Sequence, residues 1–202
     1  LMFASATGDS AMSLGELPKF IAEHRVDGLL IVGAVEVNVV NILKSTKYPF
    51  VMVDYHLPDN GVDTVITNNV RGARTATEHL IELGHRQIAF IGGEPLTRGN
   101  YAERLQGYRE ALEAAGIKFR QDLVQEGAMI GGYDSTMKIL DRAPGVTAIV
   151  ACNDANALAG MGALRTRGLE VPRDVSVVGF DDIPAAQEAF PPLTTMRVDK
   201  WA

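Results

Sequence analysis

The sequence contains a single cysteine, Cys152, among its 202 residues, which excludes a framework of intramolecular disulfides and favours a reducing compartment. Basic residues are in the minority, with 19 Lys and Arg against 25 Asp and Glu, a net charge of -6 and no basic block. These residues therefore do not form a typical nucleic-acid-binding surface. No apolar run reaches the roughly 18 residues that a membrane span needs. We expect a cytoplasmic protein with no membrane contact.

Motifs for catalysis and for cofactors are also missing. No G-x-G-x-x-G or G-x-x-x-x-G-K-[ST] loop follows an apolar run, the nearest glycine-rich stretch being IGGEPLTRG, and there is no G-x-S-x-G elbow. The four histidines lack the spacing of metal ligands; they are His24, His56, His79 and His85. Cys152 ends an apolar run and is interpreted as a small core residue. We expect neither an enzyme nor a bound metal or cofactor.

What the sequence does contain is a regular alternation of short apolar runs and longer segments of helical period. The apolar runs are LMFA, GLLIVG, FVMVD, TVIT, IAFIGG, AIVACND and VSVVGFDD. The helical segments are residues 13–24, 37–44, 71–83, 103–115, 133–141 and 155–167. Strands separated by helical crossovers pair in parallel and are covered on both faces, so they are apolar throughout. The alternation predicts a doubly wound α/β fold.

Glycines and one carboxylate mark the ends of the helical segments. Gly84, Gly116 and Gly168 each follow such a segment, where a left-handed glycine commonly ends a helix. Asp154 stands directly before the segment 155–167 and is predicted to cap its N-terminus. These signals support the predicted boundaries.

Polar residues and glycines follow the apolar runs, where the strands of a parallel sheet end. They are Gly33, Asp54, Gly92, Gly93, Asn153, Asp154, Asp181 and Asp182. Ligands of open parallel sheets bind beyond these carboxyl ends. Each residue taken alone has an ordinary explanation as a turn or capping residue, so only the whole set predicts a ligand site. The run VSVVGFDD is the sharpest case, because carboxylates at the end of a buried strand need partners for their charge.

Longer stretches carry a family resemblance. HLIELGHRQIAFIGG, ERLQGY, the dipeptide ND, VPRDVSVVGFDD and PPLTTM follow one another in that order, and RVDGLLIVG precedes them. Together they resemble the ligand-binding core of the LacI/GalR family of bacterial transcriptional regulators. The resemblance spans nearly the whole chain.

The resemblance implies two doubly wound parallel-sheet subdomains of the type I periplasmic-binding-protein kind, with a ligand cleft between them. The N-terminal subdomain would comprise residues 1–65 and about 195–202, with a return strand near 195–198, and the C-terminal subdomain residues 66–194. Hinge closure on a ligand would switch the regulator. The family's DNA-binding helix-turn-helix domain, its first core strand and helix, and its last helices have no counterpart in the sequence. We expect the native chain to be longer.

The resemblance also assigns effector-binding residues by position in the matching motifs. They are Asp54, Asn100, Arg104, Asn153 and Asp181. Arginine and carboxylate side chains suit a polyol, because charge-assisted hydrogen bonds can hold several hydroxyls. Asp182 is interpreted as a turn residue before Pro184. Removing the charge of Arg104 or Asp181 is expected to abolish effector binding with little loss of stability.

The sequence departs from the family pattern at two places. A family aromatic that stacks on the ligand is replaced in QEGAMIGGY by Met129 or Ile130, which weakens the case for a stacked sugar or purine. The common family dipeptide DN is here Asn68 and Asn69, and the sequence alone does not show what this change does.

The expected function is that of an effector-binding and dimerisation core, with a sugar or related metabolite as effector and operator DNA bound through a domain absent from the chain. A homodimer is expected to use Leu158, Ala189 and Phe190, although the small residues around Leu158 equally suit packing against the protein's own sheet. Two alternatives stay open. A periplasmic sugar-binding protein shares this core fold, and an enzyme would need a reactive constellation.

Overall fold

A computed structural model describes Ile21, Glu23 and residues 25–33, 37–46, 48–54, 61–92, 99–127 and 131–199. The chain divides into two compact units, Leu1–Thr67 and Asn68–Ala202.

The first unit is built around a three-stranded parallel sheet of order β1-β2-β3. Its strands are β1 (Leu29–Val32), β2 (Phe50–Val53) and β3 (Thr64–Val65), and helix α1 (Val37–Ser45) connects the first two. The β2 residue Met52 is fully buried. The predicted strand LMFA and nearly all of the predicted helix 13–24 lie outside the described residues.

The second unit contains a five-stranded parallel sheet of order β5-β4-β6-β7-β8. The strands are β4 (Ile88–Gly92), β5 (Val124–Glu126), β6 (Ala148–Ala151), β7 (Ser176–Asp181) and β8 (Thr194–Arg197). The helices are α2 (Asn69–Glu82), α3 (Gly99–Ala114), α4 (Gly132–Arg142), α5 (Asp154–Thr166) and α6 (Pro184–Glu188), with a 3-10 turn at Gln121–Leu123. The chain runs from β4 outward to β5 and then returns to the other side as β6. The order of the strands therefore reverses between β4 and β6.

Apolar side chains cover both faces of this sheet. Ile88 and Phe90 belong to a cluster with Leu80 of α2 and Tyr108 of α3. The alternate strand residues, such as Ala89 and Ile91, belong to a second cluster that includes residues of α4 and α5. Successive residues of a strand point to opposite faces, so each central strand is apolar throughout. The predicted doubly wound α/β fold is confirmed.

Most of the predicted elements are present with small shifts at their ends. Gly84, Gly116 and Gly168 have positive φ angles of 94°, 66° and 72°, as expected for residues that end helices. Cys152 is buried, as predicted. The sequence did not predict β5 or α6, which are too short to show a period.

The structure corrects the prediction for the return strand. Residues near 195–198 were expected in the N-terminal subdomain, whereas β8 pairs in parallel with β7, for example Phe180 with Met196. The reason is local: Leu193 is buried in the core of the second unit, and the Thr195 hydroxyl donates to Asp154. No described helix is long and apolar enough to cross a membrane.

Candidate functional site

Polar side chains meet at the carboxyl ends of β4, β6 and β7 in the second unit. Helix α3 follows β4 and carries Tyr101 and Arg104, Asn153 follows β6, and Asp181 ends β7. The reversal of strand order between β4 and β6 is the position where open α/β sheets leave a crevice for a ligand. Sequence patterns predicted three of these four residues. We call Tyr101, Arg104, Asn153 and Asp181 the polar cluster.

Arg104 is the most buried member of the polar cluster, with 4% of the residue exposed. Each of its three nitrogens contacts a protein acceptor. The Nε donates to Asn69 Oδ1 at 2.9 Å, the Nη1 donates to the Cys152 carbonyl, and the Nη2 lies 3.3 Å from Asp181 Oδ1. The guanidinium carbon also lies 3.8 Å from the centroid of the Phe180 ring. Arg104 is therefore a structural residue as well as a candidate ligand contact, and these contacts predict, against the expectation from the sequence, that its removal lowers stability.

The Asn68–Asn69 pair, which the sequence left unexplained, has two separate functions. Asn68 caps α2, since its side chain accepts from the Arg71 amide at 3.0 Å. Asn69 is buried, accepts from Arg104, and donates through Nδ2 to Glu103 Oε2 at 2.8 Å. It fixes the guanidinium from α2, a contact that sequence spacing cannot reveal.

Asp181 and Asp182 occupy an unusual stretch of backbone, with φ angles of 113° and 53°. Among residues other than glycine, Asp and Asn accept positive φ most readily, so the strand end itself favours these residue types. The Asp181 side chain is 32% exposed and is directed to the buried Arg104. The positive φ of Asp182 agrees with its interpretation as a turn residue.

Asn153 and Tyr101 complete the polar cluster. Asn153 is the N-cap of α5: its Oδ1 accepts from the Asn156 amide at 2.8 Å, and its Nδ2 donates to the Tyr101 hydroxyl at 3.5 Å. Tyr101 is half-buried, and burial raises the pKa of its phenol. The hydroxyl is therefore protonated at neutral pH and can donate. The sequence missed Tyr101, although its i, i+3 spacing from Arg104 places both on one face of α3.

The predicted capping function of Asp154 is wrong, because Asn153 caps the helix. Asp154 is instead fully buried and accepts from the Ile183 amide at 2.9 Å and from the Thr195 hydroxyl. It ties the start of α5 to β8 and to the segment after Asp181. Gly179 leaves the space that this requires, because a Cβ there would lie 2.2 Å from Asp154 Oδ1.

The other predicted ligand residues lie in two places. Asn100 is half-buried in the first turn of α3, one turn before Arg104. Asp54 is an exposed residue of the first unit, directly after β2, with a φ of 59°. Its backbone amide donates to the Val65 carbonyl at 2.9 Å. Met129, Ile130 and Gly93 lie outside the described residues.

The residues predicted for a dimer contact differ in exposure. Phe190 is 88% exposed and Ala189 is half-buried. Leu158 is half-buried and packs against the apolar cluster of its own unit. Close packing within the unit also uses the glycines of α5, since a Cβ on Gly160 would lie 2.7 Å from Thr136 Oγ1.

The polar cluster offers hydrogen bonds of both kinds without a reactive group. The carboxylate of Asp181 accepts hydrogen bonds, and the phenol of Tyr101 and the amide of Asn153 donate them. The charge of the buried Arg104 is balanced by its protein contacts. This arrangement suits a neutral ligand with several hydroxyls. Within the described residues, no group of three or more His, Cys, Asp or Glu could hold a metal ion.

Comparison with known proteins shows the family. The family model of the periplasmic binding protein-like domain matches residues 77–201. The regulator CelR of Thermobifida fusca is 40% identical over 201 residues, which cover 96% of this chain and 58% of CelR. The transcriptional repressor PurR of Histophilus somni is 37% identical over 186 residues, covering 89% of this chain and 55% of PurR. The chain belongs to the LacI/GalR family of transcriptional regulators.

Solved structures agree with this assignment. A CelR–cellobiose complex superimposes with a TM-score of 0.82 at 40% identity, covering 88% of this chain and 55% of that one. The regulator CcpA of Lactococcus lactis superimposes with a TM-score of 0.81 at 29% identity, covering 90% and 66%. This LacI/GalR core thus spans little more than half the length of the curated relatives it matches. The relatives are regulators, which confirms that the chain is not an enzyme and favours a regulator over a transporter's binding protein.

Proposed function

We propose that this LacI/GalR core binds a neutral sugar and that binding controls the attachment of the whole regulator to operator DNA. The single observation that carries the effector class is the polar cluster, in which Asp181 is held by a buried arginine beside an amide and a phenol. Such a fixed set of donors and acceptors suits hydroxyl groups. Among its four described residues, Arg104 is the single cation, and a phosphorylated ligand would need more. The CelR–cellobiose complex supports a sugar and makes cellobiose the first probe.

In the proposed mechanism, the effector binds at the polar cluster of the second unit, and binding shifts the regulator between two states. Asn100 of α3 would contribute a further amide, and Asp54 of the first unit stays a predicted effector contact. DNA binding is assigned to a part of the regulator outside this chain. The net charge of -6 supports that assignment, as does the longer length of relatives described as helix-turn-helix regulators. A protein with this function works in the cytoplasm.

Calorimetric titration of the full-length regulator tests the effector class. The parent protein and the variants Asp181→Asn and Asp182→Asn are titrated with cellobiose and other neutral disaccharides. Asparagine tolerates the positive φ at both positions, so the two variants form a matched pair. Replacing a charged acceptor by a neutral one at Asp181 should weaken binding about tenfold. Asp182→Asn should bind like the parent.

A thermal-shift screen can contradict the sugar assignment. A ligand at 100 times its dissociation constant adds about 2.7 kcal/mol of stability, an easily measured shift. Stabilisation by nucleobases or sugar phosphates, with no response to any neutral sugar, would contradict the sugar assignment. The family assignment would stand in that case.

We also propose that the regulator is a homodimer in which Phe190 is buried against the partner. The Phe190 side chain is 88% exposed and therefore accessible to a second copy of the chain. Ala189 adjoins it, and the half-buried Leu158 could contribute only its exposed part. Light scattering of Phe190→Lys should give half the parent mass. An unchanged mass would remove this residue from the interface.

A further inference from the structure

We infer that Tyr101 is a contact residue for the sugar, with its ring against a pyranose face and its hydroxyl donating to a sugar hydroxyl. This inference rests on the proposed function and deepens it. The sequence had weakened the case for stacking, because the loop residues Met129 and Ile130 replace an aromatic. The structure supplies an aromatic from a different element, the first turns of α3.

Tyr101 lies close to the other members of the polar cluster. Its hydroxyl lies 3.5 Å from Asn153 Nδ2, and it shares one face of α3 with Arg104, whose Nη2 lies 3.3 Å from Asp181. All three neighbours were assigned to the ligand independently of Tyr101. The residue therefore lies among the proposed ligand contacts rather than beside them.

The hydrogen-bonding capacity of Tyr101 is only partly used by the described residues. Its hydroxyl accepts from Asn153, yet among the described residues no acceptor faces the phenolic proton. Each nitrogen of Arg104, by contrast, already contacts a protein acceptor. The phenol of Tyr101 thus offers the polar cluster a protonated donor for a ligand.

The ring of Tyr101 suits contact with the apolar face of a pyranose. It is half-buried and packs against the apolar cluster formed by β4, α2 and α3, which holds it in place. A fixed aromatic face beside a carboxylate and an amide matches the two aspects of a pyranose, an apolar C–H face and a rim of hydroxyls. Nonpolar ring contact and hydroxyl recognition would then come from a single side chain.

Titration of the full-length regulator with cellobiose tests the inference, using Tyr101→Phe, Tyr101→Ala and the control Tyr133→Phe. Tyr133 lies on α4, is 40% exposed and donates to the Thr166 hydroxyl instead. Loss of one neutral hydrogen bond in Tyr101→Phe should weaken binding about fivefold. Loss of the ring in Tyr101→Ala should weaken it at least about thirtyfold, as for a central contact residue. Tyr133→Phe should bind like the parent.

Two negative outcomes are distinguishable. If the parent binds cellobiose and both Tyr101 variants bind it equally well, the inference about Tyr101 is overturned and the proposed function survives. If the parent binds neither cellobiose nor any other neutral sugar, the sugar assignment fails and the inference fails with it. The phenylalanine variant keeps the packing of the ring, so its result does not depend on whether the alanine variant folds.

Discussion

Arg104→Ala is expected to destabilise the protein as well as remove a candidate ligand contact. The substitution takes the donor from Asn69 Oδ1 and the Nη1 from the Cys152 carbonyl, and losing a donor to a buried acceptor costs about 1–3 kcal/mol. It also removes the guanidinium from the face of Phe180, a contact worth about 2 kcal/mol when desolvated. Release of the buried cation from its own desolvation cost offsets part of this sum. The carboxylate left behind, Asp181, is 32% exposed and can be solvated, so the expected net loss of about 3 kcal/mol comes from the unmet acceptors and the lost ring contact.

Urea unfolding followed by circular dichroism measures this loss, with Asp181→Asn as the control. The asparagine amide oxygen can still accept from Arg104 Nη2, so the guanidinium, which is only 5% exposed, keeps an acceptor at each of its three nitrogens. We expect the control to cost less than Arg104→Ala, because it removes the countercharge of the buried cation but none of its hydrogen-bond acceptors. The two variants should therefore separate in stability although both affect the same ion pair.

One result would refute this reasoning. If Arg104→Ala unfolds at the same urea concentration as the parent, the contacts of Arg104 with Asn69 and Cys152 do not contribute to stability. The original expectation, that the residue serves the ligand alone, would then be correct.

Two further predictions concern packing and pH. Gly107→Ala should cost at least about 2 kcal/mol in a urea titration, because its Cβ would lie 2.1 Å from the Val70 carbonyl oxygen. Gly162→Ala is the control: its Cβ meets only Tyr133, at 3.9 Å, so stability should stay equal or rise. Burial lowers the pKa of His85 in the folded state. The unfolded chain therefore gains the proton first, and stability is lost as the pH falls from about 6.5. His85→Gln should flatten that slope in thermal melts between pH 7 and 5, and an unchanged slope would exclude His85 as its source.

The fold was largely predictable because it depends on periodicity. Helices of more than ten residues, such as α2 and α4, show their period in the sequence, and the central strands are apolar runs. The strand β5 and the helix α6 have three and five residues, too few for a period to appear. Their positions follow from contacts with the rest of the sheet, which a local pattern does not contain.

The meeting of Asn153 and Asp181 was predictable, but the internal contacts of the polar cluster were not. Strand ends of a parallel sheet meet at one edge, so Asn153 and Asp181 could be placed together from the sequence. Asn69, by contrast, contacts Arg104 across 35 residues of sequence, and Asp154 contacts Thr195 across 41. Such pairs are set by the packing of whole helices and strands. The prediction that Asp154 is a cap failed for this reason: it was based on the position directly before the segment 155–167, whereas the buried carboxylate contacts Ile183 and Thr195, which are distant in sequence.

The pairing of a buried arginine with a partly exposed aspartate determines how the site can recognise a ligand. Arg104 is held by three acceptors and an aromatic ring, so Asp181 meets a cation that does not move. A carboxylate can accept about four hydrogen bonds, so Asp181 can accept from a sugar hydroxyl while it stays paired. Because the carboxylate is already oriented, less entropy is lost when the ligand binds. Changes of effector specificity should therefore arise at Tyr101 and Asn153, where side chains can vary without unpairing a buried charge, and not at Arg104.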